Sequence, residues 1–414
     1  MSLHKKLLVT LLLACNLSVF SEETKPVKLY GFARSDFFTD TRDMYTSVQD
    51  LFSFYPMYKD LNADGEDLNA LSSSSMMSIA SRFGLDITAP AGFWGAKSAF
   101  AKIETDFGGS PNYMLLRIRQ AYTQLLWDNS NLLIGQTWHP LFVPATMPNV
   151  LSLNAGSPFQ PFNRSPQIRF NYQKGKLNLS AAAIYQMMYT NYGPEGASSS
   201  YQKNAIAPEL YVSIEYKKNN SLVGLGADYK SIMPTRYKKD LNGISHVNHD
   251  VLSTPALMVY GVTTKGDFTA KAKVIVGQNL TEHCVIGGYA ITPKDEYIPY
   301  NSLTSYIHFN YGKVHQLGLM LGYTENFGPS KNLPIGSKFY GFGVANMNAD
   351  NERMINNIFR IVPTYSYNYK NWRMGVELEY TNAGWGKRSN DNGTIMKLDR
   401  SDNYRIYAIL MYSF

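Results

Sequence analysis

Tyr404-Arg405-Ile406-Tyr407-Ala408-Ile409-Leu410-Met411-Tyr412-Ser413-Phe414 closes the chain, and its alternation decides the fold. Tyr404, Ile406, Ala408, Leu410, Tyr412 and Phe414 share one face of an extended strand, while Asn403, Arg405 and Ser413 share the other. A soluble sandwich alternates in the same way. This strand, however, is long and its apolar face is aromatic towards both ends, the pattern of a transmembrane strand of ~9 to 11 residues. The pattern recurs upstream. Met77, Ile79, Phe83, Leu85 and Ile87 oppose Ser78, Arg82 and Asp86, and Leu317, Leu319, Leu321 and Tyr323 oppose Gln316 and Thr324.

About sixteen such segments run from one starting near Val27 to one starting near Asp402. Short connections, such as Asp128 to Ser130, Lys174 to Lys176 and Lys370 to Asn371, alternate with long ones, including Thr39 to Ser74, Pro140 to Ser165 and Gly328 to Arg353. This predicts an all-β fold: a transmembrane antiparallel up-and-down β-barrel of about sixteen strands whose third extracellular loop folds inward. In lipid every backbone polar group must be paired internally, and a closed barrel achieves this without an edge. A plugged transporter needs about 22 strands, for which the chain is too short.

Composition agrees. The 414 residues are 44% hydrophobic but only 17% charged, with 30 Tyr and 21 Phe. That aromatic content excludes disorder, and the charge fraction is low for a cytosolic enzyme. Lys5 and Lys6 precede an apolar run that ends before Ser21, so residues 1–21 are expected to be a signal peptide and 22–414 the barrel. Leu12-Leu13-Ala14-Cys15 resembles a lipoprotein box, but the apolar run continues to Phe20. Cleavage at Ser21 leaves 37 basic and 32 acidic residues, a formal charge of +5, and a single cysteine, Cys284. No intramolecular disulfide can then form. The mild excess of positive charge gives no nucleic-acid signal.

Several stretches resemble the DcaP-like outer-membrane porins, especially those of Bacteroides-type bacteria: Tyr30-Gly31-Phe32, Ser81-Arg82-Phe83-Gly84, Leu116 to Tyr122, Gly135-Gln136-Thr137-Trp138-His139-Pro140, and Pro158 to Pro166. The resemblance implies a sixteen-stranded homotrimeric porin with an arginine-lined constriction that favours anionic solutes. DcaP-type porins can carry a periplasmic helical extension before the barrel. Here only about five residues separate the expected cleavage site from the first strand, so such an extension is not expected to supply the trimer contact.

Charge cannot face lipid cheaply, since Arg or Lys there costs ~2 to 4 kcal/mol near the midplane. Period two therefore assigns Arg34, Arg82, Lys102, Arg117, Arg119, Arg169, Arg360 and Arg405 to the lumen as its basic wall, with Asp86, Glu104 and Asp106 as acidic lumen residues. Glu104 and Asp106 are expected to form a counter-face. The alternative is that these acids pair with the arginines as a structural network. The stretch from Pro140 to Gln167 holds six prolines and a single charge, Arg164, and is expected to form the constriction, shaped by Trp138, His139, Phe159 and Phe162. An exposed loop rarely carries so many large apolar side chains.

Asp60, Asn62 and Asp64, followed by Gly65, match the first half of a calcium loop, although position 12 is Leu71 rather than Glu. Calcium there is expected to raise thermal stability; no other cofactor is expected. His246, His249 and Asp250, and separately His283 with Cys284, fall in different loops and do not by themselves make a four-ligand zinc site. The sequence holds no G-x-S-x-G elbow, Walker loop or H-E-x-x-H helix. Expected partners are outer-membrane lipid and lipopolysaccharide, the barrel-assembly machinery through the strand ending in Phe414, and small anionic solutes. Two other readings stay open. A closed-lumen barrel would act as a receptor or adhesin, and a barrel hydrolase would need Ser and His side by side on the lipid face, where only His308 and His315 are strand candidates and His308 falls on the lumen face.

Overall fold

The computed structural model describes residues 26–90, 93–109, 115–239, 242–345, 352–389 and 392–414, so the expected signal peptide lies outside the described residues. Sixteen antiparallel strands close into one barrel. They are β1 (Val27–Asp40), β2 (Ser73–Met77 continued by Arg82–Pro90), β3 (Ser98–Gly109), β4 (Leu115–Leu126), β5 (Ser130–Trp138), β6 (Arg164–Lys174), β7 (Leu177–Ile184) and β8 (Glu209–Lys218). There follow β9 (Ser221–Ile232), β10 (Leu252–Lys265), β11 (Phe268–Gln278), β12 (Tyr297–Tyr311), β13 (His315–Pro329), β14 (Arg353–Tyr369), β15 (Trp372–Arg388) and β16 (Ile395–Ser413).

Closure is made by the last strand on the first. Phe32 pairs with Ser413 and Asp40 with Arg405, and beyond them the N–H of Phe414 donates to Gly31 O at 3.0 Å. Gly31 is required at this seam because a Cβ would lie 2.4 Å from Arg82 O. The alternation in β16 is as read from the sequence: Tyr404, Ile406, Leu410, Tyr412 and Phe414 are exposed on the outside, while Asn403, Arg405 and Tyr407 are buried within. Similar rows of exposed Leu, Ile, Val and Tyr on the other strands form a continuous apolar belt, which places this closed barrel in an outer membrane.

One strand departs from the simple pattern. β2 breaks between Met77 and Arg82, where Ser81 Oγ accepts from the Arg34 backbone N–H at 2.9 Å. The interruption inverts the parity of the side chains before it, as a register slip does. Met76 therefore points outward, and Met77 and Ile79, expected beside Phe83 on the outer face, pack inward against a cluster containing Phe38, Leu51 and Tyr407.

The short connections lie at one rim, including residues 127–129, 175–176, 219–220, 266–267 and 370–371. The other rim carries the long connections L1 (41–72), L3 (139–163), L4 (185–208), L5 (233–251), L6 (279–296) and L7 (330–352). L1 contains a hairpin, Met44–Ser47 against Phe52–Pro56, whose second strand is wholly buried. Phe52, Phe54, Tyr55, Phe142, Phe159, Phe162, Phe342 and Trp385 form one core with it. L1 and L3 side chains thus share this core with the buried strand residues Met320, Ile358 and Val362.

Candidate functional site

Adjacent strands β2, β3 and β4 lay a ladder of charge on the inner wall because their registers place oppositely charged residues side by side. Arg82 pairs in register with Asp106, Asp86 with Lys102, and Asp106 with Arg117. Arg117 grips Asp106 as a fork, Nε to Oδ1 at 2.9 Å and Nη2 to Oδ2 at 2.8 Å. Arg119 bridges the two acids, donating from Nε to Glu104 at 2.9 Å and from Nη1 to Asp106 at 2.6 Å. Arg82 Nη1 stands 3.7 Å from Glu104, and Lys102 Nζ stands 2.6 Å from Asp86. Glu104 and Asp106 therefore stand within the basic patch rather than opposite it.

Arg164, the first residue of β6, joins this patch from across β5. Its guanidinium is fully buried, 4.5 Å over the Trp138 ring and 5.2 Å from the Phe162 centroid, with Met188 Sδ at 3.3 and 3.4 Å. Nη1 has no hydrogen-bond partner among the described residues. Arg82, Arg117 and Arg119 thus share two carboxylates, Glu104 and Asp106, and Arg164 adds a fourth guanidinium with no carboxylate within 4 Å among the described residues. The surplus is two positive charges held in a low-dielectric wall, where they focus the field strongly.

Other residues assigned to the basic wall are anchors for loops. Arg360 donates from Nη1 to Ser157 O at 3.0 Å and from Nε to Thr381, and it pairs with Glu379 at 3.3 Å. Arg405 donates to Asp50 O at 2.5 Å, stacks 4.1 Å over Phe38 and faces Asp40 at 3.5 Å. Both are buried, and both donate to backbone carbonyls of L1, Arg360 to Phe54 and Arg405 to Asp50. Arg34 is similar: Nη2 donates to Leu151 O at 2.6 Å and Nε to Asp36. Arg169 is half-buried near Tyr122, Tyr211 and Glu215.

L3 is held by the same device along its length. Lys273 Nζ reaches Leu141 O at 2.9 Å, Tyr306 OH reaches Thr146 O at 2.7 Å, Lys271 Nζ reaches Met147 O at 2.7 Å, and Thr304 Oγ1 reaches Pro158 O at 3.0 Å. Glu377 accepts from the N–H groups of Leu151 and Ser152. Trp138 stacks on Phe142 at 3.8 Å, and Phe159 packs between Arg360 and Gly322. His139 meets Glu209, and burial pushes its imidazole below the usual histidine range despite that carboxylate.

In the first loop the residues matched to a calcium loop lie in a hydrogen-bonded turn. Asn62 Oδ1 accepts from the N–H groups of Asp64 and Glu66, both at 2.9 Å, and its amide donates to Glu66. Of the three matched side chains, Asn62 thus has its oxygen already engaged in a turn. The expected zinc-poor pairs also separate: His246 and His249 lie on exposed L5, Asp250 pairs with Lys238, and Cys284 is buried with Sγ towards Phe162 O, its thiol pushed up by burial. His308 is buried on the inner side beside Lys271, and His315 bonds Tyr365 at 2.8 Å.

The L1 hairpin and Trp385 were not legible as lumen residues. The signal was Phe52-Ser53-Phe54-Tyr55, an apolar run in a loop, the same feature that marks L3.

No protein-family model matches the sequence, and no curated protein matches it either. Solved structures do. The DcaP outer-membrane channel of Acinetobacter baumannii aligns with TM-score 0.66 at 18% identity over 96% of this chain and 100% of that one. The barrel has the fold of that channel. The trimer form of OmpT, an outer membrane protein of Vibrio cholerae, aligns with TM-score 0.53 at 10% identity over 94% of this chain and 99% of that one. Salmonella typhi OmpF in complex with daunomycin gives TM-score 0.53 at 11% identity, covering 94% of this chain and 97% of that one. The DcaP-like resemblance read from the short motifs thus holds at the level of the fold.

Proposed function

We propose that the protein is an outer-membrane porin that passes small hydrophilic solutes by diffusion and prefers anions such as carboxylates. The observation that carries this reading is the inner-wall surplus of guanidinium: Arg82, Arg117, Arg119 and Arg164 against Glu104 and Asp106. Arginine suits the role because it stays charged and binds carboxylate or phosphate as a fork. L3 narrows the lumen beside this patch and the L1 hairpin narrows it further. Solute selection is then electrostatic and steric, with no bond made or broken.

The assembly in this reading is a homotrimer, as in the OmpT form named above, seated in lipopolysaccharide and delivered by the barrel-assembly machinery through the strand ending in Phe414. Export relies on residues 1–21 as signal peptide. One observation favours a second reading, a closed barrel acting as a surface receptor: the core of L1 and L3 side chains occupies much of the interior. Single-channel conductance of the refolded protein, followed by the reversal potential in a KCl gradient, separates the two. Conductance in steps of three with anion selectivity supports the porin; a folded barrel without conductance favours the receptor, and a cation-selective pore overturns the role of the arginine patch.

A further inference from the structure

Away from the arginine patch, three loop-and-strand elements bring a second cluster together. His139 begins L3, Glu209 begins β8, and His283 ends the 3-10 turn Thr281–His283 of L6. Their side chains are 1% exposed. His139 Nε2 lies 2.8 Å from Glu209 Oε1, and His283 Nε2 lies 3.9 Å from the same oxygen. One ligand atom from each residue falls within 4.8 Å of the others.

The contact of His139 with Glu209 leaves His283 unaccounted for. Neither ring nitrogen of His283 has a well-formed hydrogen bond among the described residues, and neither does Glu209 Oε1. A fully buried imidazole with both nitrogens unsatisfied is costly unless something unseen is bound to it. Formal charge points the same way. Glu209 and Glu282 share a single ammonium among the described residues, Lys230, which contacts Glu282. A divalent cation would balance the excess carboxylate, which is costly to bury unpaired.

We propose that His139, Glu209 and His283 bind a divalent transition-metal ion of the zinc class that clamps L3 and L6 to the rim of β8. Two imidazoles and a carboxylate are borderline-soft donors that suit zinc, whereas calcium and magnesium take oxygen alone. Zinc bonds of ~2.0 to 2.1 Å in a tetrahedron place neighbouring donors about 3.4 Å apart, and the 2.8 and 3.9 Å separations bracket that edge. Glu282 Oε1, 3.4 Å from His283 Nε2, is the nearest further oxygen. His139 Nδ1 accepts from the Leu141 N–H at 3.2 Å, so the neutral ring keeps its proton on Nε2, facing Glu209. Coordination through Nε2 moves that proton to Nδ1, which then donates and no longer accepts from the Leu141 N–H, so that contact breaks. The clamp is independent of whether the lumen conducts.

The test uses the full folded chain in detergent, stripped with a chelator, resupplied with Zn(II) and freed of excess by gel filtration. The expected result is one zinc per chain by elemental analysis, a raised thermal transition, and visible absorption of a low-symmetry site when Co(II) replaces zinc. His283→Gln should lose all three, whereas His246→Gln, on exposed L5, should keep them. A folded wild-type barrel with no stoichiometric metal and no Co(II) absorption overturns the proposal, as does equal binding by His283→Gln. Should His283→Gln fail to fold, the wild-type stoichiometry and Co(II) spectrum decide alone.

Discussion

Arg360 on β14 donates from Nη2 to the backbone carbonyl of Phe54 at 2.6 Å, fixing the L1 hairpin to the wall while Nη1 holds L3 through Ser157. One buried guanidinium therefore sets the position of both loops. Its only carboxylate contact within 4 Å among the described residues, Glu379, is itself 2% exposed. Arg360→Met should leave that carboxylate without its counter-ion and cost about 3 to 5 kcal/mol, the usual penalty for breaking a buried pair from one side. Thermal unfolding of the refolded barrel measures it. A change below about 0.5 kcal/mol would mean that L1 is not seated on Arg360.

Arg164 is the informative site for ion selectivity. Arg117 and Arg119 are tied to Asp106, so their replacement also frees an acid, whereas Arg164 has no carboxylate within ion-pair distance among the described residues. One unit charge at ~8 Å with an effective dielectric of ~40 is worth about 1 kcal/mol, or up to about five-fold in local anion concentration. Arg164→Gln should lower the anion preference by no more than this, and Arg117→Glu should lower it further. Reversal potentials in a KCl gradient provide the comparison, and unchanged selectivity in both variants removes the patch from the conduction path.

How far the sequence reached depends on the residue. Period two assigns Arg34, Arg360 and Arg405 to the interior because lipid punishes the alternative, and that rule is local. It could not distinguish a side chain lining water from one locked under a loop, since that depends on where Phe54, Asp50 and Leu151 lie after folding. The same limit hid the meeting of His139 with His283, 144 positions apart in sequence, which only barrel closure brings together. At Met77 the failure was different: a break of a few residues reverses parity, and no periodicity argument survives it.

Calcium should leave the thermal transition unchanged. Asn62 Oδ1 is taken by two backbone N–H groups, and Asp67 is held by Arg42 at 2.7 Å, so binding would have to dismantle the turn first. A calcium-dependent rise of several degrees would show that it does.

Asp67 supplies an acid-sensitive hinge to L1. Burial opposes its ionisation, but the N–H groups of Asp60 and Asn69 and the Arg42 guanidinium outweigh it and hold the carboxyl below the usual value of 3.8. A carboxyl depressed on folding stabilises the turn above its unfolded pKa and ceases to do so as pH falls through the folded value. The amide shifts of Asp60 and Asn69 should therefore stay constant down to about pH 4 and move below it. Movement centred near neutral pH would contradict this assignment.

Gly322 on β13 tests where L3 rests. A Cβ built there would stand 2.4 Å from Phe159 Cγ and 2.5 Å from Cδ2, well inside contact distance, so the β13 wall and the loop ring exclude one another. Gly322→Ala should therefore overpack the interior and cost about 1 to 3 kcal/mol. Phe159→Ala, which removes Cγ together with the ring, should cost about 3 to 5 kcal/mol by leaving a void, yet relieve the clash when combined with it. The double variant should then be more stable than the sum of the two changes predicts, with a coupling of at least about 0.5 kcal/mol by thermal unfolding. Additive losses would mean that Phe159 does not sit against Gly322, and the proposed constriction by L3 would lose its support on that side of the barrel.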